Sequence, residues 1–229
     1  MIRLCVFDLD GTTVDSLNSI AHFANETLRA FGFPAFSVDA YRHLAGGGAK
    51  KLMANLVAAL GAPESLCAPM RADWLKRYEA NFLYLTRAYP GVTDMLAALR
   101  AMGVRTAILT NKRREIAEKI CGELFGTDGR LLDAVISEHE GMTLKPAPDE
   151  LWRLMDRFNC PKAACAYVGD HTLDMETGKN AGVTTVGVVW GFHTRQALLD
   201  AGADYVAERP ADITELIKTL NTMERGTTT

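Results

Sequence analysis

At 229 residues, 48% of them hydrophobic and 23% charged, the chain is long enough to bury its own core without disulfides or a structural metal. Its 25 basic residues stand against 28 acidic ones, and the resulting formal charge of −3 excludes a protein that holds nucleic acid through global positive charge. No apolar run approaches the roughly 20 residues of a membrane span, and the apolar start meets Asp8 too early for a signal peptide, so no membrane partner and a cytoplasmic location are expected.

Residues 2–7 form an apolar run too short for a helix and stopped by Asp8-Leu9-Asp10-Gly11, which reads as a buried strand. From 16 to 86 only helical periodicity follows. Leu17, Ile20, Ala24, Leu28 and Phe31 share one face behind Ser16 as N-cap; Leu52, Leu56 and Leu60, then Met70, Trp74, Tyr78 and Phe82, repeat the pattern. Gly46-Gly47-Gly48 and Gly61-Ala62-Pro63 separate these pieces, and Tyr89-Pro90-Gly91 turns the chain back. Strands are then predicted at 104–109, 134–137, 164–168, 184–189 and 204–207. Helices are predicted at 92–102, 114–124, 149–158, 173–181 and 213–220, ahead of a frayed polar tail at 224–229. Strands joined by helices of this length imply an α/β fold, a mostly parallel sheet with helices on both faces. A core of 1–15 and 87–229 thus receives an α-helical insert at 16–86. The cysteines (5, 67, 121, 160 and 165) are scattered and odd in number, as expected of reduced thiols packed as small hydrophobes.

In an open parallel sheet, ligands bind beyond the carboxyl ends of the strands. Four strands here end in, or lead to, polar groups suited to chemistry. Asp8 and Asp10, two apart on extended chain, share a face and repel each other unless a cation or shared proton relieves them. Thr110-Asn111 ends the second strand, Lys145-Pro146 follows the third, and Gly169-Asp170 ends the fourth, with Asp174 one helical turn on. Three carboxylates plus water make an oxygen-rich site suited to magnesium. Lys112-Arg113-Arg114 opens the next helix, where cations oppose the dipole, and reads as a solvated turn. The five histidines show no ligand spacing, and His171 reads as a loop residue beside Asp170.

Asp8-x-Asp10-Gly11-Thr12, the apolar run into Thr110-Asn111, Lys145-Pro146 and Gly169-Asp170-x-x-x-Asp174 together resemble the haloacid dehalogenase-like phosphohydrolases, in order and along the whole chain. The resemblance implies a Rossmann-like core with a small helical cap and a magnesium-dependent hydrolysis of a small phosphate monoester. Asp8 would be the nucleophile that forms an aspartyl-phosphate, and Asp10 the acid and then the base. Asp8, the main-chain carbonyl of Asp10 and Asp170 would hold the metal, with Asp174 supporting it through water or by fixing Lys145. Thr110, Asn111 and Lys145 would hold the phosphoryl oxygens.

Within the family, Gly46-Gly47-Gly48-Ala49 and Tyr89-Pro90-Gly91-Val92 are most similar to the phosphoglycolate phosphatase-like subgroup, which implies that Gly47 and Lys50 or Lys51 meet a second anionic group on a small phosphorylated metabolite. A sugar-phosphate mutase or a pyrophosphatase of the same superfamily would use the same catalytic set. A dehalogenase would lack Asp10, and so would a phosphonate hydrolase built on a cap lysine. A non-catalytic module is opposed by intact Asp8 and Asp10, and the assembly is expected to be a monomer or homodimer.

Overall fold

The computed structural model describes residues 1–126 and 129–226. In chain order the elements are β1 (Leu4–Phe7), β2 (Val14–Asp15), α1 (Leu17–Ala30), α2 (Tyr41–Leu44), α3 (Gly48–Ala59), α4 (Cys67–Ala80), β3 (Arg87–Ala88) and α5 (Val92–Ala101). Then follow β4 (Arg105–Arg113), α6 (Arg114–Phe125), β5 (Ala134–Glu138), α7 (Asp149–Arg157), β6 (Cys165–Gly169), α8 (Thr172–Ala181), β7 (Thr184–Val188), α9 (Arg195–Asp200), β8 (Tyr205–Ala207) and α10 (Pro210–Gly226).

Six strands form one parallel sheet in the order β5-β4-β1-β6-β7-β8. β1 lies inside it, between β4 and β6, and is buried on both faces, which is why its sequence shows no polar alternation. The period of two still sorts its side chains. Leu4 and Val6 join Leu109, Tyr167 and the α7 residues Leu151 and Leu154 on one face, while Cys5 and Phe7 join Ile108, Val168, Leu96 of α5 and Ile213 of α10 on the other. All five cysteines are free thiols, four of them buried. No helix among the described residues is long and apolar enough to cross a membrane.

The helical insert stands over the carboxyl end of this sheet. Within it α4 packs against both α1 and α3, and the rings of Trp74 and Tyr78 stack at 5.0 Å along α4. A two-stranded antiparallel ribbon of β2 and β3 closes its base; strands this short carry no periodicity and were not foreseen. The 3.6-residue pattern also passes over α2 and α9, of 4 and 6 residues. α10 begins earlier than predicted, at Pro210, whose fixed φ and missing N–H suit a first helical turn. It continues to Gly226, so 224–226 of the expected frayed tail are helical, and 227–229 lie outside the described residues.

One difference bears directly on function. β4 does not stop at Leu109 but runs through Thr110, Asn111 and Lys112 to Arg113, its register against β5 shifting between Thr110 and Arg113. The sequence places Thr110-Asn111 at the strand end and Lys112 in a solvated turn, yet the insert covers the run and all three residues are buried.

Candidate active site

β1 is the strand from which the chain crosses first to β4 on one side and later to β6 on the other, which makes its carboxyl end the switch point of the sheet. Asp8 sits there, buried. Gly11 follows at φ +85°, and a Cβ built on it would lie 2.1 Å from Asp170 Oδ2, so only glycine lets the β1 loop meet the end of β6. Asp170 is held at both oxygens: Thr12 Oγ1 donates to Oδ1 at 2.8 Å and the Phe192 amide to Oδ2 at 2.8 Å. Asp174, on the first turn of α8, accepts from the His171 amide, from Tyr167 Oη and, at 2.6 Å, from Lys145 Nζ. The same ammonium lies 2.9 Å from Asp8 Oδ1. Lys145 thus bridges the nucleophile candidate and the helix acid, and Asn111 grips its main chain, accepting from Lys145 N at 2.9 Å and donating to Lys145 O at 3.2 Å. Thr110 is buried at the cleft edge, its Oγ1 accepting from the Lys112 amide.

Burial dominates the electrostatics. It pushes Asp8 up to about 7, against the pull of Lys145 and with the help of Asp174. Asp170 is held well above the usual carboxylate range by burial first, then by Asp174 and Asp8. Burial alone would lower Lys145, but Asp174 and Asp8 together carry it well above an ordinary lysine. One cation thus faces three buried acids. Asp8 Oδ1 is buried against the Lys145 ammonium, 2.9 Å away. Asp8, Asp170 and Asp174 each offer an oxygen within 4.8 Å of the others. This donor set is all hard oxygen and can hold a metal ion; it fits magnesium or a similar hard cation better than zinc.

Asp10 does not join this group. Its carboxylate accepts from Lys112 Nζ at 2.9 Å and 3.0 Å and from Ser16 Oγ at 2.5 Å. Two sequence expectations change here. Lys112 is not in a solvated turn: because β4 continues, its side chain lies under the insert, where its ammonium also donates to Tyr78 Oη at 2.9 Å. Burial would lower this ammonium, but Asp10 and the Tyr78 hydroxyl raise it above the ordinary lysine value. Arg113 and Arg114 do stay near solvent, paired with Glu115 and Glu118. Ser16 holds the N-cap position of α1 but makes no cap bond, because its hydroxyl goes to Asp10 instead. Neither bond is visible in sequence spacing, although Lys112 stands only two residues beyond Thr110 in the same strand.

The opposite wall of the cleft comes from the insert and is apolar: Ile20, Ala49, Leu52, Trp74 and Leu75. Trp74 Nε1 is buried there without a partner. The glycine turn 46–48, all at positive φ, brings the insert onto the core; a Cβ on Gly46 would strike the His171 ring at 2.5 Å and one on Gly48 the Asn111 carbonyl at 2.7 Å. Gly47 borders the cleft, whereas Lys50 and Lys51 are exposed and are not among its lining residues. His171 has a definite role: Nδ1 accepts from the Leu173 amide and caps α8, and burial with the tilted His193 ring, 3.9 Å away, lowers its pKa to about 4.

Comparison with known proteins agrees with this geometry. The family model described as haloacid dehalogenase-like hydrolase matches residues 5–188. An N-acetylmuramic acid 6-phosphate phosphatase of Pseudomonas aeruginosa is 27% identical over 94% of this chain and 95% of its own. A phosphoglycolate phosphatase of Rhodobacter capsulatus is 35% identical over 88% of this chain and 90% of its own. A crystal structure of a predicted phosphoglycolate phosphatase from Haemophilus somnus superposes with a TM-score of 0.87 at 25% identity, covering 94% of this chain and 98% of that one.

Proposed function

The chain belongs to the haloacid dehalogenase-like hydrolases and is a phosphatase of that family, and from this premise we propose that it hydrolyses a small phosphate monoester with magnesium, in the manner of a phosphoglycolate phosphatase. The observation that carries the reading is the Asp8 carboxylate, buried at the switch point with the Lys145 ammonium 2.9 Å away and Asp170 and Asp174 beside it.

Asp8 attacks phosphorus as the bond to the leaving oxygen breaks, and Asp10, which must enter this step protonated, gives its proton to that oxygen and regains one from the water of the second step. Water, deprotonated by Asp10, then attacks phosphorus and releases phosphate from Asp8. Lys145 and Thr110 face the phosphoryl oxygens and stabilise their charge, and Asn111 acts by holding the Lys145 main chain in place. Asp8, Asp170 and the Asp10 carbonyl would hold magnesium, with Asp174 behind them; bound there, the ion would screen the attacking carboxylate from the phosphoryl group. Residues 16–86 serve as a cap whose seating excludes water from the cleft. Gly47 borders the cleft and is proposed to meet the substrate; Lys50, exposed on α3 outside the cleft lining, would reach a second anionic group only after a shift of the cap.

The apolar wall supports a second reading. Ile20, Leu52, Leu75 and Trp74 give the cleft an apolar wall that suits a leaving group larger than glycolate, such as a sugar ring whose C–H face packs on it. Phosphate release from 2-phosphoglycolate, hexose 6-phosphates and N-acetylmuramic acid 6-phosphate, each with magnesium, separates the two. A preference in kcat/KM for phosphoglycolate that Lys50→Ala removes supports the first reading. A preference for a sugar phosphate, unmoved by Lys50→Ala but lowered by Trp74→Phe, replaces it with the second. Hydrolysis of none of these esters overturns both.

A further inference from the structure

The ammonium of Lys112 has three donors, and all three are engaged: two on the oxygens of Asp10 and one on Tyr78 Oη. Its side chain is 6% exposed and that of Asp10 19%. Tyr78 belongs to the insert, is fully buried, and lies against Trp74, which walls the cleft. Ser16, at the start of the insert, binds the same carboxylate from another side. Asp10 is therefore fixed jointly by the core, through Lys112, and by the insert, through Ser16 and through Tyr78 on Lys112. The acids of the metal cluster have no such tie to the insert: Asp170 and Asp174 take their hydrogen bonds from residues of the core.

We propose that Lys112 is a positioning residue that couples seating of the helical insert to the orientation of the Asp10 carboxyl, so that Asp10 is aligned with the leaving oxygen only while Tyr78 is docked on Lys112. The inference rests on the reading of Asp10 as the group that protonates that oxygen. A free carboxyl rotates about two side-chain torsions. One bonded at both oxygens to a buried ammonium is confined to a single rotamer, and that ammonium is itself confined by the Tyr78 hydroxyl.

The test compares an ester that needs a proton on its leaving group, glycerol 2-phosphate, with one that hardly does, p-nitrophenyl phosphate. Lys112→Met is expected to lower kcat on glycerol 2-phosphate by roughly 100-fold, within the range that general acid catalysis supplies, with at least ten-fold less effect on p-nitrophenyl phosphate and little change in either KM. In an Asp10→Asn background the same change should add less than about three-fold, because the group it positions is already gone. Tyr78→Phe keeps the ring against Trp74 and removes only the hydroxyl. It should lower kcat on glycerol 2-phosphate several-fold with the same leaving-group dependence, and it keeps the test open should Lys112→Met not fold. Equal losses on both esters, or losses that multiply with Asp10→Asn, overturn the coupling. If Asp10→Asn disables glycerol 2-phosphate hydrolysis while Lys112→Met and Tyr78→Phe do not, the inference alone fails. If Asp10→Asn itself keeps full turnover of glycerol 2-phosphate, the acid role fails and takes the inference with it.

Discussion

Across the cleft, the sheet side presents Asp8, Asp174 and Lys145 with Asp170 beside them, most of their polar atoms held by a named partner, while the insert side presents Ile20, Leu52, Leu75 and Trp74. The sheet side is built from strand ends and from the first turn of α8, which are rigid because the core beneath them is packed on both faces. The insert side touches the core at separate points, among them the glycine turn, the Arg42 guanidinium on the Gly191 carbonyl, Ser16 on Asp10, the Tyr78–Lys112 bond and the Arg71–Glu138 pair. Chemistry that needs fixed charges belongs to the first surface, and choice of leaving group, which needs shape, to the second. Changes to Asp8, Asp170, Asp174 and Lys145 should therefore disable every substrate alike, changes on the insert side should re-rank substrates, and changes to the Asp10–Lys112 pair between them should follow the leaving group.

The largest expected effect is on the sheet side. Asp8→Asn removes the attacking oxygen and should lower phosphate release by at least roughly 10⁴-fold on every ester, with an unchanged circular dichroism spectrum. Comparable residual turnover in a verified preparation would break the comparison at its foundation. Chelation comes next: exhaustive EDTA treatment should abolish turnover on all substrates and added magnesium should restore it, whereas full activity after chelation removes the metal from the account.

Lys145→Met should weaken the fold as well as the reaction. It leaves Asp8 and Asp174 buried without their cation, a change of the kind that destabilises by about 3–5 kcal/mol, read as a lower urea midpoint in the metal-free protein. A midpoint within error of wild type would mean that these charges do not depend on each other.

The last expected effect is a pH dependence of stability. An acid whose folded pKa is raised keeps its proton in the native state while the unfolded chain has lost it. For Asp8, raised to about 7, the contribution to stability falls as pH rises from about 4 to about 7, by at most about 1.4 kcal/mol per pH unit. Metal-free Asp8→Asn, which cannot ionise there, should gain on wild type steadily across that window and no further above it. A constant difference from pH 4 to 7 would show that Asp8 is not the buried, proton-holding acid described here.

These surfaces were unequally legible in the sequence. The parallel sheet was readable because its strands are short apolar runs cut off by Asp, Gly or Thr, and a strand buried on both faces has no alternation to obscure. The acids and Lys145 were readable because their positions at strand ends follow from those boundaries. Lys112 was not, because a Thr-Asn-Lys-Arg run has the composition of a loop and becomes strand only under the cover of a distant insert. Ser16 has the identity and position of an N-cap, and only the tertiary approach of Asp10 diverts its hydroxyl. The unpartnered Trp74 Nε1 follows from a helical stripe that sequence reads simply as core.

The central claim, that Asp8 is the atom-transfer partner and the rest of the sheet surface exists to make it so, has one direct measurement. A single-turnover reaction quenched in acid and reduced with borohydride converts an aspartyl-phosphate to homoserine, and mass spectrometry of the peptide containing residue 8 locates it. The account expects homoserine at position 8 in wild type and none in Asp8→Asn. Rapid turnover with aspartate intact at position 8 at every quench time, or with the reduced residue elsewhere, would contradict it.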